Sequence, residues 1–507
     1  MSVPSTNKTI AKNTAFLYFR MMFTMIVSLY TSRVILQTLG VDNYGIYQSV
    51  GGIVGFLSFI NSALSTGSSR FLTYELGTGN LEKLKRTTTL TIHIAIALFV
   101  VIVAETLGVW FLYNKLVIPA ERMDAAVYTF HISILTAVFT LTQVPYNASI
   151  IAHEKMSAFA YISILEVVLK LVIVYMLSIG NIDKLILYAA LILVVQISIV
   201  FFYQIYCLKH FEESRIKFIW DGSLFKEIFG FAGWNMWGCL AHILYTQGLN
   251  ILLNMFFGPA VNAARGVATQ VQGAVQQFSS NFQMALNPQI TKTYAANDMK
   301  SMHTLIYRSS KFTFFLLFAL SLPVIMETEQ ILTLWLKIVP DWTVIFVRLM
   351  LCVVMVDSIA NPLMTAAAAT GRVKVYQSVV GGILLLIVPI SYIVLKLGGN
   401  PYSVFIVHFA VCTTAFAVRL FIIRPMINFS ISSYLKNAIA RCIVVGIVSL
   451  IIPVTLRILL DQSIFNSFVI IIASVISVLV FTFLIGLTTN ERLFIANKIK
   501  EVAYKII

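Results

Sequence analysis

Residues 13–36 have the sequence NTAFLYFRMMFTMIVSLYTSRVIL and form the first long apolar segment of the chain. A helix of about 20 residues, rising roughly 1.5 Å per residue, crosses a bilayer, so this segment is long enough to span one. Arg20 lies well inside it, although an arginine at the bilayer centre costs roughly 2.5–3.5 kcal/mol. Thr24, Ser28 and Thr31 follow Arg20 at helical steps of three and four. The pattern predicts a polar helix face beside a hydrated, cationic cavity; the alternative is a buried helix whose arginine reaches a carbonyl or the interface.

The composition of the whole chain is that of an integral membrane protein. Of 507 residues, 59% are hydrophobic and 11% are charged, whereas soluble domains have about 25% charged residues. The five cysteines lie in or beside apolar segments and show neither metal-ligand spacing nor a disulfide framework. The chain has no P-loop pattern and no apparent cleavable signal. We expect an all-α polytopic membrane protein, a transporter rather than an enzyme, without a metal site.

Apolar segments predict about 14 transmembrane helices. Their expected bounds are 12–36, 44–66, 88–113, 126–149, 158–179, 185–207, 229–256, 260–289, 308–326, 344–367, 375–396, 402–423, 438–459 and 465–487. Counted from a cytoplasmic N-terminus, the inner connections hold 24 of the 36 lysines and arginines, and the outer ones hold 6. The positive-inside rule therefore predicts that both termini are cytoplasmic. The net charge of +15 then faces the anionic leaflet and predicts no nucleic-acid partner.

The chain also repeats itself at a distance of about 217–221 residues. Pro145 aligns with Pro362, and Gly45 aligns with Gly266. Six helices per repeat give both copies the same orientation, which predicts two pseudo-symmetric six-helix bundles. The expected domains are an N-lobe of helices 1–6, a C-lobe of helices 7–12, and a last part with helices 13 and 14 and an amphipathic cytoplasmic tail, at residues 1–210, 211–428 and 429–507.

The predicted second lobe carries a polar helix that matches the first one. Arg265 is followed at helical spacing by Gln272 and Gln276. Two guanidinium groups suit a pyrophosphate, while amides and hydroxyls suit sugars. The candidate substrate-binding residues are Arg20, Thr24, Asn61, Asn250, Arg265, Gln272 and Gln276. The alternative is that these polar groups only join helices by hydrogen bonds.

Four further intramembrane charges are candidates for gating or ion coupling. Glu166 and Lys170 stand at i and i+4, which favours a structural ion pair over one that exchanges partners during transport. Arg348 and Asp357 are nine residues apart and face opposite sides of their helix. Asp357 with Asn361 is a candidate site for a coupling ion, H⁺ or Na⁺, whose identity the sequence does not give.

Several stretches of the chain resemble bacterial polysaccharide-biosynthesis membrane proteins of the O-antigen flippase (Wzx) type. They are NTAFLYFRMMFTMIVSLYTSR (Asn13–Arg33), LGVDNYGIY (Leu39–Tyr47), EKM (Glu154–Met156), NPQI (Asn287–Ile290) and TGRVKVYQ (Thr370–Gln377). The resemblance extends over nearly the whole chain, and its motifs mark the family rather than the substrate. That family belongs to the multidrug/oligosaccharidyl-lipid/polysaccharide (MOP) exporter superfamily.

The resemblance implies two bundles of six helices, a cationic central cavity and alternating access. The implied substrate is an undecaprenyl-pyrophosphate-linked oligosaccharide, moved from the cytoplasmic to the outer leaflet, with Arg20 and Arg265 as the implied pyrophosphate ligands. The implied location is the bacterial inner membrane. Membrane lipids, a polysaccharide polymerase and chain-length proteins are the expected partners, and no cofactor is expected.

Two other functions remain open at this point. A cation-coupled multidrug antiporter belongs to the same superfamily, but cationic drugs need acidic groups and the predicted cavity is basic. A membrane glycosyltransferase or polymerase usually has large outer loops with catalytic residues, whereas the outer loops predicted here are short.

Overall fold

The computed structural model is all-helical in the parts of the chain that it describes, which are residues 4–55, 61, 101–153, 155–177, 183–211, 214, 241–370 and 373–493. The helices, in chain order, are α1 (Pro4–Gly55), α2 (Val109–Asn114), α3 (Met123–Ala152), α4 (Met156–Met176), α5 (Lys184–His210), α6 (241–257), α7 (Pro259–Ala295), α8 (Met299–Met326), α9 (Thr328–Leu336), α10 (Thr343–Ala369), α11 (Val373–Leu385), α12 (Ile387–Lys396), α13 (Ser403–Met426), α14 (Ile431–Tyr434), α15 (Ala440–Leu459) and α16 (Ile464–Phe481). Short π-helical turns precede α2 and α15 and follow α16, at Ala104–Gly108, Leu435–Ile439 and Thr482–Gly486.

Gly40 divides α1 into two arms. Its backbone has φ 78° and ψ 169°, a conformation that residues with a side chain rarely adopt and that glycine adopts readily. The arms on either side correspond to the first two predicted spans, 12–36 and 44–66. Residues 56–60 and 62–66 of the second span lie outside the described residues.

The predicted fold class is confirmed. Among the described residues, ten helices are long and apolar enough to cross a membrane, and the first of them contains both arms of α1. Helix α7 occupies the predicted eighth span but is polar along much of its length. Parts of the predicted spans 88–113 and 229–256, and residues 494–507 of the predicted amphipathic tail, lie outside the described residues.

The chain forms two compact units. The first contains Met1–Gly266, Leu336–Asp341 and Ser391–Pro401, and the second contains Val267–Trp335, Trp342–Ile390 and Tyr402–Ile507. These bounds come from contacts, and they place α6 and the start of α7 with α1–α5. The predicted lobes 1–210 and 211–428 are defined instead by the internal repeat and stay a prediction.

In the first unit, α1 packs against α3 and α4, and α5 packs against α3. The core between these helices contains Ile46, Phe130 and Ile134, each at most 1% exposed. In the π-helical turn before α2, Gly108 lies so close to the Phe130 ring that a Cβ atom there would be 2.4 Å from it. Burial of a large apolar side chain stabilises by roughly 1.5–3 kcal/mol, which holds the second arm of α1 against α3.

In the second unit, α8 packs against α10, α15 and α16, and α10 packs against α13. Two ion clusters with buried carboxylates join α8 to α15, α16 and the segment that follows α16. At one end, Arg457 Nη1 donates to Glu327 at 2.9 Å, and Ser467 Oγ donates to the same carboxylate at 2.7 Å. At the other end, Lys311 Nζ donates to Glu491 at 2.9 Å. Helices α15 and α16 are therefore an integral part of the second unit.

Candidate functional site

The second arm of α1 approaches α6 and α7 to backbone contact within the first unit. A Cβ atom on Gly45 would lie 1.9 Å from the carbonyl oxygen of Pro259, and one on Gly52 would lie 2.3 Å from Nδ2 of Asn250. Real Cβ atoms essentially never come closer than 3.0 Å to such neighbours. Glycine at these positions lets the helices approach closely, as small residues do in membrane helix packing.

A cluster of neutral polar side chains fills this contact, and we call Ser49, Asn250, Asn254 and Asn262 the amide cluster. The Nδ2 atoms of Asn254 and Asn262 both donate to Ser49 Oγ at 2.9 Å. Asn262 Nδ2 also lies 2.9 Å from the carbonyl oxygen of Asn250, whose own Nδ2 donates to the carbonyl of Gln48 at 2.7 Å. All four side chains are at most 4% exposed. The amide cluster therefore joins α1, α6 and α7 without any charged group.

Arg265 lies on α7 one turn beyond Asn262. It is 7% exposed, and its Nη2 donates to the carbonyl oxygen of Thr246 on α6 at 2.6 Å. The predicted ligand of a pyrophosphate is thus held against a backbone carbonyl in this conformation. A phosphate oxygen accepts a stronger, charge-assisted bond than a neutral carbonyl, so an anionic ligand can compete for this guanidinium.

A pocket of about 280 Å³ lies in the first unit between the second arm of α1, α3 and α5. Its polar wall includes Tyr47, Asn61, Ser133, Thr136 and Thr140. The three α3 hydroxyls donate to carbonyl oxygens four residues earlier in the helix, which leaves their oxygens as acceptors. The Oδ1 atom of Asn61 is buried and has no partner among the described residues. The pocket therefore offers neutral hydrogen-bonding groups to a ligand.

The other predicted binding residues are spread over α1, α6 and α7. Asn250 is in the amide cluster, and Thr24 Oγ1 donates to the carbonyl of Met21 at 3.0 Å. Gln272 is half-buried and Gln276 is exposed. Arg20 is part of α1, but its side chain is not among those that the structure describes. The roles assigned to these residues stay predictions.

Glu166 and Lys170 form the ion pair that their spacing predicts. Lys170 Nζ lies 2.5 Å from Glu166 Oε1, and both side chains are partly exposed. This contact fits the structural role, in which the two charges neutralise each other within one helix.

Arg348 and Asp357 bind different neighbours in the second unit. Arg348 Nε donates to the carbonyl of Ile325 at 3.0 Å and lies 3.2 Å from Thr328 Oγ1. Its side chain therefore caps a carbonyl in the last turn of α8. Asp357 lies close to Cys412 and interacts electrostatically with Arg419. Among the described residues, no group of three or more His, Cys, Asp and Glu side chains is placed to hold a metal ion.

Sequence reasoning missed the role of small residues in the second arm of α1. Gly45, Ser49, Gly52 and Gly55 follow one another at steps of four, three and three, and all four face α6 or α7. Such a stripe of small residues is a recognisable signal for close helix packing in membranes. The stripe does not tell which helix it meets, because that partner is about 200 residues away in the chain.

No protein-family model matches the chain, and no curated protein sequence matches it. Solved structures do. The lipid II flippase MurJ in an inward closed conformation superposes with a TM-score of 0.65 and 12% identity over 93% of this chain and 98% of that chain. An inward-facing multidrug resistance MATE family transporter of the MOP superfamily superposes with a TM-score of 0.61 and 14% identity, over 81% of this chain and 99% of that chain. The MATE multidrug transporter DinF-BH, solved in complex with a ligand, superposes with a TM-score of 0.61 and 15% identity, over 85% of this chain and 98% of that chain.

These similarities define the class of fold. The chain is a multi-pass membrane protein with the fold of MOP-superfamily transporters, and it covers nearly the full length of each of the three neighbours. Because the identities are only 12–15%, the similarity establishes the fold alone. The substrate has to be inferred from the chain's own residues.

Proposed function

We propose that this protein is a flippase that moves an undecaprenyl-pyrophosphate-linked oligosaccharide from the cytoplasmic to the outer leaflet by alternating access. It would serve surface polysaccharide biosynthesis, such as that of the O-antigen of lipopolysaccharide. We place it in the bacterial inner membrane with both termini in the cytoplasm. A polysaccharide polymerase and chain-length proteins would act on its product.

The chemistry of the pocket in the first unit carries this proposal. Its polar groups are hydroxyls, a phenol and an amide, and none of its described lining residues is acidic or basic. Sugars present many hydroxyls that need neutral donors and acceptors, and each bare hydroxyl in hydrocarbon costs several kcal/mol. A lipophilic cation would instead be favoured by a carboxylate beside its charge.

The phosphate end of the substrate would be held by Arg20 and Arg265. In the conformation described, Arg265 is bound to the carbonyl of Thr246. We infer that the guanidinium exchanges this carbonyl for pyrophosphate oxygens when substrate enters. Gln272 and Gln276, on the same helix, would meet the sugars, and the lipid tail would stay in the bilayer.

The test replaces both arginines by glutamine and measures surface glycan in a strain whose glycan depends on this protein. R20Q/R265Q is expected to abolish export while the protein remains in the membrane at normal abundance. Arg33→Gln, in the first arm of α1 and facing away from Arg20 by helical spacing, is the control and should export normally. Normal export by R20Q/R265Q would refute the assigned roles.

A cation-coupled multidrug antiporter is the second candidate, because two of the three neighbours are MATE transporters and one of these was solved with a bound ligand. Purified protein in vesicles separates the two functions. The flippase predicts movement of a fluorescent polyprenyl-pyrophosphate saccharide and no accumulation of a lipophilic cationic dye. Dye transport driven by a proton or sodium gradient, without movement of the saccharide lipid, would establish the antiporter instead.

A further inference from the structure

An apolar groove lies in the second unit between α7, α8 and α16. Its volume is about 690 Å³, and its walls include Phe282, Leu305, Phe312, Leu316 and Leu479. Leu316 is 36% exposed and Leu479 is 58% exposed, so the groove is open on the outer surface of the helices. Such an apolar surface is suited to contact with acyl chains.

One end of the apolar groove is polar. Arg308 and Ser309 line it together with Leu305, and Thr482 lines another part of the groove. Ser309 is 0% exposed, yet its Oγ has no hydrogen-bond partner among the described residues, and the buried Oγ1 of Thr482 also has none. Buried hydroxyls normally find a partner, so the Ser309 hydroxyl next to Arg308 and the Thr482 hydroxyl in the same groove suit the oxygen atoms of a bound group.

The charge at this end is strongly positive. Arg308 Nε lies 3.3 Å from Glu491, which Lys311 already contacts at 2.9 Å. Arg441 and Arg492 donate to carbonyl oxygens of the π-helical turn that contains Thr482. Two basic side chains therefore share one carboxylate, and two more bind the backbone of the adjacent turn, in this described part of the chain. Arg308 remains 47% exposed, which leaves it accessible to an anion.

The length of the apolar groove distinguishes between lipid classes. From Arg308 to Ala319, α8 rises about 16 Å at 1.5 Å per residue. Half of the hydrocarbon core of a bilayer is about 15 Å thick. A phospholipid whose phosphate lies at Arg308 would therefore place an acyl chain along the groove as far as the bilayer midplane, whereas a polyprenyl chain is much longer than the groove.

We propose that this groove is a binding site for an anionic phospholipid that is not the transported substrate. Its phosphate pairs with Arg308, its glycerol ester oxygens accept hydrogen bonds from Ser309 and Thr482, and one acyl chain fills the groove. The lipid joins α7, α8 and α16 and neutralises the surplus charge around Glu491. Basic pockets between transmembrane helices bind anionic head groups in this way.

Native mass spectrometry and melting temperature of the full-length protein in mild detergent provide the test. Phosphatidylglycerol is expected to bind saturably and to raise the melting temperature, while phosphatidylcholine and inorganic phosphate do not. Arg308→Gln should weaken phosphatidylglycerol binding about fivefold, and Arg308→Lys should restore most of it. Arg424→Gln, an exposed arginine at the end of α13, is the control and should bind as the unchanged protein does.

Because Arg308→Gln also removes the contact with Glu491, a second variant tests the groove with that contact intact. Leu316→Trp fills the apolar groove and keeps every charge, so it should also lose the bound lipid. Equal effects of phosphatidylglycerol and phosphatidylcholine, or equal binding by R308Q and R424Q, would overturn the proposal. Stabilisation by inorganic phosphate alone would reduce the site to an anion site, and preference for a polyprenyl phosphate would assign the groove to the transported substrate; either result also overturns it.

Discussion

Replacement of Gly45 by alanine should force the second arm of α1 away from α7. The new Cβ would lie 1.9 Å from the backbone oxygen of Pro259, so the two backbones must separate by about 1.1 Å to reach even the 3.0 Å limit of real contacts. Overpacking of this kind costs typically 1–3 kcal/mol. Because the obstacle is backbone rather than a flexible side chain, we expect the upper part of that range.

Gly51 provides the matched control, since a Cβ atom there meets nothing within 4 Å. In the same helix arm, Gly51→Ala should be neutral or stabilise by up to about 1 kcal/mol, because alanine is the better helix former. The two variants should therefore differ by roughly 2–4 kcal/mol. Their melting temperatures in detergent measure the difference, with G51A equal to or above the unchanged protein and G45A clearly below it.

A second measurement tests where the G45A helices separate. Asn262 is 0% exposed in the amide cluster, so a cysteine introduced there should be protected from a membrane-impermeant maleimide. Labelling should increase in the Gly45→Ala background and stay low in the Gly51→Ala background. If G45A melts like G51A and its Asn262→Cys form stays protected, the close contact with Pro259 does not exist in the protein.

Three further predictions follow from the described ion pairs. Glu327→Gln removes a buried carboxylate that binds Arg457 and Ser467. Losing one partner of a fully buried ion pair costs about 3–5 kcal/mol, but Arg457 is 26% exposed and can be solvated, so we expect a destabilisation of about 1–3 kcal/mol. The exposed Glu329→Gln should change melting by little, and equal effects of the two variants would contradict the prediction. The double exchange Glu166→Lys with Lys170→Glu should keep glycan export, since the pair is predicted to be structural, and loss of export with normal abundance would assign it a functional role. The hydrogen bonds from Arg122 hold the pKa of Asp183 below its usual value, although burial opposes this. A carboxyl whose pKa is lowered on folding stabilises fully above its unfolded pKa of about 3.9, and this stabilisation is lost as the pH falls through the lower folded pKa. The difference in melting temperature between the unchanged protein and Asp183→Asn should therefore be largest at neutral pH and decrease once the pH falls below about 4; a pH-independent difference would show that the charge of Asp183 does not matter.

Most helix positions could be predicted from the sequence, because membrane spans are set by the length of apolar segments. For example, helices α5 (Lys184–His210) and α10 (Thr343–Ala369) lie at the expected spans 185–207 and 344–367. Breaks within a span were harder to predict. The expected span 375–396 is interrupted between Leu385 and Ile387, where α11 ends and α12 begins. Hydropathy does not change at this break, but Pro389 lies four residues after Leu385 and cannot donate the helical hydrogen bond to its carbonyl, so the proline was a signal that the prediction of spans did not use.

The Glu166–Lys170 pair within one helix could be predicted, but polar contacts between helices could not, because they depend on which helices become neighbours. Arg348 looked like an intramembrane charge available for gating, but it closes the end of α8 through the carbonyl of Ile325. Gly45 and Gly266 aligned in the internal repeat, and a Cβ atom on Gly266 would lie 3.0 Å from the side chain of Gln48. Both glycines therefore lie where the second arm of α1 meets α7, a relation that the alignment alone did not give.

The amide cluster of the first unit and the ion clusters at Glu327 and Glu491 in the second unit are different kinds of polar contact, and the difference bears on which contacts can change during transport. The amide cluster has only neutral hydrogen bonds, each worth a net of about 0.5–1.5 kcal/mol, and the amides can be satisfied by water when the helices part. The clusters at Glu327 and Glu491 bury charges, and separating one buried partner costs about 3–5 kcal/mol. A carrier that cycles at ambient temperature can break the first kind of contact repeatedly but not the second. We therefore expect movement of α1 against α6 and α7, while α8, α15 and α16 move as one body.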